Sequence, residues 1–130
     1  MKQLKLRFAG PEDAGTLLEW LEGNPENDFD RDILGYPTLQ IVCAYSEQGP
    51  VAYLPIQKAL VLESTARAPG ISEGDSAQAL RDFTKAAELM ASSQGIREIY
   101  FLCKDERLVA MAKSHGYDEL PWKTMRMKLS

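Results

Sequence analysis

The stretch GISEGDSAQALRDF, residues 70–83, decides how this chain is interpreted. Gly70 and Gly74 flank a short polar loop, and a segment with helical periodicity follows it. A loop that opens a helix in this way presents unpaired N–H groups and the positive end of the helix dipole, which together bind phosphate. Glu73 and Asp75, however, bring negative charge to the place where an anion would bind. The stretch is therefore a phosphate site, a site that has lost its ligand, or only a helix cap.

The cap interpretation accounts for the same residues without a ligand. Ser72-x-x-Asp75 fits a capping box, and Asp75-x-x-Gln78 fits another one turn later. Either pattern satisfies the first N–H groups of the helix internally, and residue types alone favour it. The nearest basic residue before the loop is Arg67, which would either neutralise a phosphate or pair with Glu73.

Composition places the chain among ordinary globular proteins. It has 130 residues, 45% of them hydrophobic and 26% charged, which predicts one domain spanning residues 1–130. The net charge of −4 and the absence of a Lys/Arg block argue against nucleic acid as a partner. No apolar run approaches the ~18 residues of a membrane span, and the charged N-terminus MKQLKLRF does not read as a signal peptide. We therefore expect a cytoplasmic protein without a membrane partner.

The cysteines and the single histidine do not form a metal set. Cys43 and Cys103 both lie in apolar runs, and a standard zinc site needs more ligands than these. Buried free thiols in a reducing compartment are the favoured interpretation, and a disulfide is the alternative. No metal site is predicted.

Hydrophobic periodicity and turn residues predict the order β-α-(α)-β-β-β-α-β-α-β-β. Leu4, Leu6 and Phe8 alternate with charged residues, which predicts a half-buried first strand. A helix from Pro11 to Gly23 follows, and the acidic connection after it, around residues 24–37, includes a possible short helix. The remaining predicted elements are the strands TLQIVCAYS, VAYLPIQ and ALVLESTA, a long helix over about 75–94, the strand IREIYFLC, the helix KDERLVAMAKSHG, and the closing strands YDELPW and TMRMKL.

The predicted helices each present an apolar face. These faces consist of Ala14, Leu17, Leu18 and Leu21 in the first helix, Leu80, Phe83, Ala87, Met90 and Ala91 in the long helix, and Leu108, Met111, Ala112 and His115 in the last. Pro55 places its strand at an edge or a bulge. Tight turns give antiparallel pairs and crossover helices give parallel ones, so the sheet is mixed. We predict an α/β (α+β) single domain with a central sheet of about 6–7 strands and helices on both faces.

This order resembles the GNAT superfamily of acetyl-CoA-dependent N-acyltransferases over almost the whole chain. The stretch that opens the long helix stands where the family carries its R/Q-x-x-G-x-G/A pyrophosphate loop; this chain has Ile71, Gly74 and Ser76 at the three motif positions. His115-Gly116-Tyr117 matches the family's x-Gly-Phe segment. The family's frequent tyrosine falls on Ala112, and its asparagine is best matched by Asp105.

The resemblance implies a GNAT-like fold, acetyl-CoA as a substrate-like ligand, and a set of site residues. Leu62 and Ser64, on the fourth strand, would lie beside the pantetheine arm. Arg67, Gly74, Ser76 and Ala77 would contact the cofactor phosphates. Glu63, the one carboxylate on that strand, would act as general base directly or through water, or it is a surface glutamate. Tyr117 would face the core, or its hydroxyl would replace the missing tyrosine.

Two functions follow from the resemblance. The first is an N-acetyltransferase that transfers an acyl group from acetyl-CoA to an unidentified amine of a small molecule or peptide. The alternative is an inactive GNAT-like binding or interaction module that has lost normal CoA binding, as the acids in the loop and Ala112 suggest. A homodimer through an exposed sheet edge is compatible with either function.

Overall fold

The computed structural model of the chain describes residues 3–26 and 29–130. Within them the order is β1 (Lys5–Phe8), α1 (Ala14–Gly23), β2 (Gln40–Ser46), β3 (Gly49–Ile56), β4 (Leu60–Leu62), α2 (Glu73–Ser93), β5 (Ile99–Phe101) and α3 (Glu106–Ser114). Two 3₁₀ turns, Pro11–Asp13 and Arg31–Gly35, precede α1 and β2. The second turn lies where a short helix was predicted, in the acidic connection whose residues 27 and 28 are outside the described ranges.

The described strands form two sheets. β1, β2 and β3 pair antiparallel in that order, and β4 and β5 form a separate parallel pair. The mixed α/β class is confirmed, but the prediction of one central sheet of about 6–7 strands is wrong in strand number and continuity. β3 is an edge strand, as Pro55 predicted, because a proline has no N–H to donate to a further ladder.

The predicted closing strands are absent from the described structure. Residues 117–130 contain no strand, and Met125, Met127 and Leu129 are 83–88% exposed. Their alternation satisfies the sequence pattern of a strand, but a strand also needs a neighbour for its N–H and C=O groups. The sequence therefore has the alternating pattern of a strand, but the described part of the fold provides no neighbouring strand for it to pair with.

The first strand presents the opposite face to the one predicted. Leu6 and Phe8 are 71% and 66% exposed, whereas Arg7 lies on the inner face beside Cys43, its register partner in β2. Trp20 of α1 contacts the ring of Tyr53 in β3, with centroids 5.2 Å apart, so α1 covers that inner face. The predicted stripe of α1 is confirmed at Leu17 and Leu21, which are both buried.

The predicted apolar faces of the other helices are only partly buried. In α2, Ala87 and Ala91 are buried while Phe83 and Met90 are more than half exposed. In α3, Ala112 is buried and His115 is exposed, which corrects the predicted inward position of His115.

The helix ends are as predicted: Gly95 and Gly116 follow α2 and α3 with φ of 69° and 94°, a conformation that glycine adopts without strain. Trp122, in the segment after α3, is 57% exposed.

Candidate functional site

The candidate site begins where β4 stops pairing with β5. Leu62 is opposite Phe101 in the parallel register, and the Leu62 carbonyl accepts a hydrogen bond of 3.0 Å from the Leu102 N–H. Residues 63–68 then leave the sheet without strand structure. The chain after β4 is therefore free to present backbone groups to a ligand.

A tight turn directs this segment into α2. The Ile71 N–H donates to the Ala68 carbonyl at 3.2 Å, and Gly70 has φ of 75°. Pro69 followed by a glycine with positive φ is the arrangement of a type II turn. Gly70 is thus required by backbone conformation. At Gly74, by contrast, φ is not positive and an added Cβ would lie 3.9 Å from Ser72 Oγ, so this glycine is not needed for the turn.

The first turn of α2 is capped by its own chain. Ser72 Oγ accepts the Asp75 N–H at 3.0 Å, and the Ser72 carbonyl accepts the Ser76 N–H at 3.0 Å. The capping interaction predicted for Ser72 is therefore confirmed. Within the described structure, the N–H groups of Glu73 and Gly74 have no protein acceptor. These two donors remain available at the positive end of the helix dipole.

Arg67 and Ser76 meet beside a cleft at this helix terminus. Arg67 Nη1 donates to Ser76 Oγ at 3.3 Å, while Ser76 is 8% exposed. The cleft has a volume of about 210 Å³. Its lining residues come from the loop after β4 and the first three turns of α2: Thr65, Ala66, Arg67, Ala68, Ile71, Ser76, Ala79, Leu80 and Phe83. In the described part of the chain Arg67 forms no ion pair with Glu73, so its cationic group faces a largely apolar cleft.

The other predicted cofactor residues do not line this cleft. Ser64 is exposed in the segment after β4, and Gly74 and Ala77 are exposed on the first turns of α2. Leu62 lies at the end of β4. The structure thus brings Arg67 and Ser76 together and leaves the remaining members of the predicted set separate from them.

The two predicted catalytic residues follow different elements, Glu63 after β4 and Tyr117 after α3. Glu63 is exposed directly after β4. Tyr117 follows α3, and its ring meets Phe101 edge-on with centroids 6.0 Å apart. Burial, assisted by the charge of Glu88, raises the pKa of the Tyr117 phenol. Tyr117 is therefore protonated at neutral pH and is able to donate a proton but not to accept one.

The family positions in α3 have structural roles here. Asp105 Oδ1 accepts the Leu108 N–H at 2.9 Å and so caps α3. Ala112 is buried and has no group that exchanges a proton. His115 lies at the C-terminal end of the helix, with Nδ1 2.9 Å from the Met111 carbonyl. His115 thus satisfies a carbonyl in the last turn of α3.

Sequence reasoning missed a buried polar cluster on the inner face of the β1–β2–β3 sheet. Asp13, whose side chain is 5% exposed, accepts hydrogen bonds from Arg7 Nη1 and Nη2 at 2.8 and 2.9 Å, from the Gly10 N–H at 2.8 Å and from the Tyr53 hydroxyl at 2.7 Å. The bonds from Arg7, then those from Gly10 and Tyr53, hold the pKa of Asp13 well below its usual range. Burial and Asp13 raise the pKa of Tyr53. The alternation of β1 masked this cluster, because it assigned the inner face to Leu6 and Phe8.

A second polar cluster lies at the start of β5. Glu98 accepts the Tyr100 hydroxyl at 2.7 Å and Gln57 Nε2 at 3.3 Å. A hydrogen bond to Glu98 raises the pKa of Tyr36 to about 12, and burial raises that of Tyr100 to about 12. Gln57 Oε1 is buried without a partner in the described structure. This cluster ties the Arg31–Gly35 turn region to the β4–β5 pair, at the end of the strands opposite to the cleft.

Cys43 and Cys103 are both free thiols. Among residues 3–26 and 29–130, His, Cys, Asp and Glu side chains form no group that fits a metal ion. The helices in these ranges also include none with the length and apolar character needed to cross a membrane.

The chain is similar to solved structures of acetyltransferases. It shares 13% identity with AAC(6')-Iy in complex with a bisubstrate analogue, covering 98% of this chain and 99% of that one at a TM-score of 0.42. It shares 14% with the aminoglycoside acetyltransferase meta-AAC0020 from an uncultured soil metagenomic sample, in complex with sisomicin, at coverages of 98% and 97% and a TM-score of 0.40. It shares 12% identity with a predicted acetyltransferase from Clostridium acetobutylicum with acetyl-CoA. That match covers 95% of this chain and 96% of the other at a TM-score of 0.35. No protein-family model and no curated protein sequence matches the chain.

Proposed function

We propose that this chain is a GNAT-like N-acyltransferase that transfers the acyl group of acetyl-CoA to an amine. The observation that carries the proposal is the meeting of Arg67 and Ser76 beside the cleft between the end of β4 and the start of α2. A guanidinium, a hydroxyl and two unpaired helix N–H groups are the donors that a phosphate binds. The similarity to solved acetyltransferases is too distant to add to this argument.

The donor set fits a pyrophosphate at the α2 terminus, and it is opposed by two acids. The N–H groups of Glu73 and Gly74 and the Arg67 guanidinium would hold the phosphate oxygens. The Glu73 and Asp75 carboxylates are exposed, so water and salt screen their repulsion of an anion. We infer that binding occurs but is weakened and strongly salt-dependent.

The acyl transfer would use Glu63, directly after β4, and Tyr117, whose ring contacts Phe101, the register partner of Leu62. The thioester supplies the acyl carbon when acetyl-CoA is bound, and the backbone after Leu62 has left the sheet and has N–H groups to polarise its carbonyl. Glu63 would accept the proton of the attacking amine directly or through water as the new C–N bond forms. Tyr117, held protonated by burial, would give its proton to the departing thiolate as the C–S bond breaks.

Acetyl-CoA binding and turnover test the proposal separately. A ligand present at a hundred times its Kd stabilises a protein by about 2.7 kcal/mol, so acetyl-CoA is expected to raise Tm. Thiol release measured with a panel of polyamines, amino sugars and peptide N-termini then reports transfer. Glu63→Gln is expected to lower kcat by about 100-fold or more with little change in Kd for acetyl-CoA, whereas Glu19→Gln on exposed α1 surface has no effect. An unchanged kcat in Glu63→Gln would remove the proposed general base.

The alternative, a module without catalysis, draws on a separate observation. Ser72 already occupies the Asp75 N–H, and Ala112 lies buried where the family has a tyrosine. Under this alternative acetyl-CoA gives no shift in Tm and no amine supports thiol release. Amine-dependent release of CoA rules it out.

A further inference from the structure

A second cleft, larger than the one beside Arg67 and Ser76, is lined by other elements of the fold. It has a volume of about 700 Å³ and lies between the end of β1, helix α1 and the start of β2. Its apolar walls are formed by Phe8, Ala14, Leu17, Leu18, Leu39 and Ile41. It shares no residue with the cleft beside Arg67 and Ser76. Its volume falls within the roughly 300–1,000 Å³ of pockets that bind small molecules.

The cleft has one charged lining residue among those described, and another residue of the chain pairs with it. Of the described residues that line it, Asp13 alone carries a charge. That carboxylate already accepts four hydrogen bonds, two of them from the Arg7 guanidinium. A carboxylate has about four acceptor sites, so no free lone pair is left for a cationic ligand. An anionic ligand would find no cationic side chain among the described residues that line the cleft.

We propose that the cleft between β1, α1 and the start of β2 binds a neutral, mainly apolar small molecule, separately from the proposed acyl transfer. The apolar walls supply the binding free energy, since the hydrophobic effect scales with the apolar area removed from water. Gln40, the first residue of β2, also lines the cleft and is able to hydrogen-bond a single polar group of such a ligand. The Asp13 cluster fixes β1 against α1 and β3 and thereby keeps the walls of the cleft apart.

The neutral fluorophore N-phenyl-1-naphthylamine tests this site in the intact 130-residue chain. Its emission increases in apolar surroundings, and Trp20 lies near the cleft, because its ring contacts Tyr53, whose hydroxyl binds Asp13. Trp122→Phe leaves Trp20 as the single tryptophan energy donor. We expect saturable binding with energy transfer from Trp20 in this variant. Binding that does not saturate, or saturable binding without transfer, overturns the proposal.

Two pairs of variants locate the bound probe. Leu18→Glu adds an unpaired carboxylate to the apolar wall and is expected to weaken binding at least about tenfold, while Leu89→Glu on α2, outside the cleft, changes it less than about twofold. Ala14→Phe fills the cleft and weakens binding similarly, with Ala86→Phe as its control. Both Leu18 and Ala14 are exposed, so their replacement leaves the core intact. Equal effects of the cleft and control variants overturn the proposal, as does displacement of the probe by acetyl-CoA.

Discussion

Arg67 Nη1 donates a hydrogen bond of 3.3 Å to Ser76 Oγ, joining the loop after β4 to the first turn of α2. The bond connects two segments that are nine residues apart and places a guanidinium at a helix N-terminus. The helix end and this side chain thus present positive charge to the same cleft.

Arg67→Ala is therefore expected to weaken acetyl-CoA binding by about 10- to 100-fold, the effect of losing a hydrogen bond to a charged group. Calorimetric titration measures the change, and far-UV circular dichroism checks that α2 remains folded. Arg81→Ala serves as the matched control, because Arg81 lies on α2 and its side chain bonds to Gln78. Equal affinities of wild type and Arg67→Ala would place the phosphates elsewhere.

Neutralising the acids at the start of α2 is expected to have the opposite effect. Glu73→Gln combined with Asp75→Asn removes the charges that oppose a bound anion, and we expect roughly two- to tenfold tighter acetyl-CoA binding at low salt. The gain shrinks at high salt, since the side chains are exposed and screened. Titrations at two salt concentrations measure both effects, with Glu19→Gln on the exposed surface of α1 as control. Weaker binding by the double variant would show that the two carboxylates assist the ligand.

Ser72 tests the helix cap independently of any ligand. Ser72→Ala removes the acceptor of the Asp75 N–H, and loss of such a cap costs about 1 kcal/mol in the free energy of unfolding. For a chain of this length that corresponds to a decrease in Tm of about 3–5 °C. Thermal unfolding measures it. Ser92→Ala, an exposed position within α2, is expected to leave Tm unchanged or slightly raised. A Ser72→Ala variant as stable as wild type would contradict the capping role.

The Asp13 cluster makes stability depend on pH in the acid range. The folded state holds the pKa of Asp13 below its unfolded value of about 3.9, so the unfolded state binds the proton first as the pH falls. The stabilisation is fully present above the unfolded pKa and is lost as the pH falls toward the folded one. Wild type is thus expected to lose stability steeply below about pH 4.

Asp13→Asn removes this contribution and leaves Arg7 without its carboxylate partner. We expect a lower Tm at pH 7 and a flatter dependence of Tm on pH between 2 and 5, measured by thermal unfolding across a pH series. Glu19→Gln, on the exposed surface of α1, leaves both features unchanged. Parallel pH profiles of wild type and Asp13→Asn would be incompatible with a lowered Asp13 pKa.

Local sequence patterns were sufficient to predict the order of helices and strands from β1 to α3. Pro11, Gly23, Gly95 and Gly116 set helix bounds because their backbone preferences act within a few residues. The cap at Ser72 was likewise predictable, because one hydroxyl group forms it. The edge position of β3 was predictable because Pro55 lacks an N–H. The mixed α/β class follows from the same local rules.

The tertiary structure alone decided which faces and partners those elements have. Period-two alternation predicts that the two faces of β1 differ, but Arg7 lies on the inner face because its guanidinium donates there to Asp13, which also accepts the Tyr53 hydroxyl. Alternation at Met125, Met127 and Leu129 did not produce a strand, because pairing requires a neighbour that no local pattern specifies. The sequence by itself determined that a helix with a Ser72 cap and an acidic first turn follows β4. Only the tertiary structure decided that Arg67 contacts Ser76, because a contact between two segments depends on the path of the chain between them.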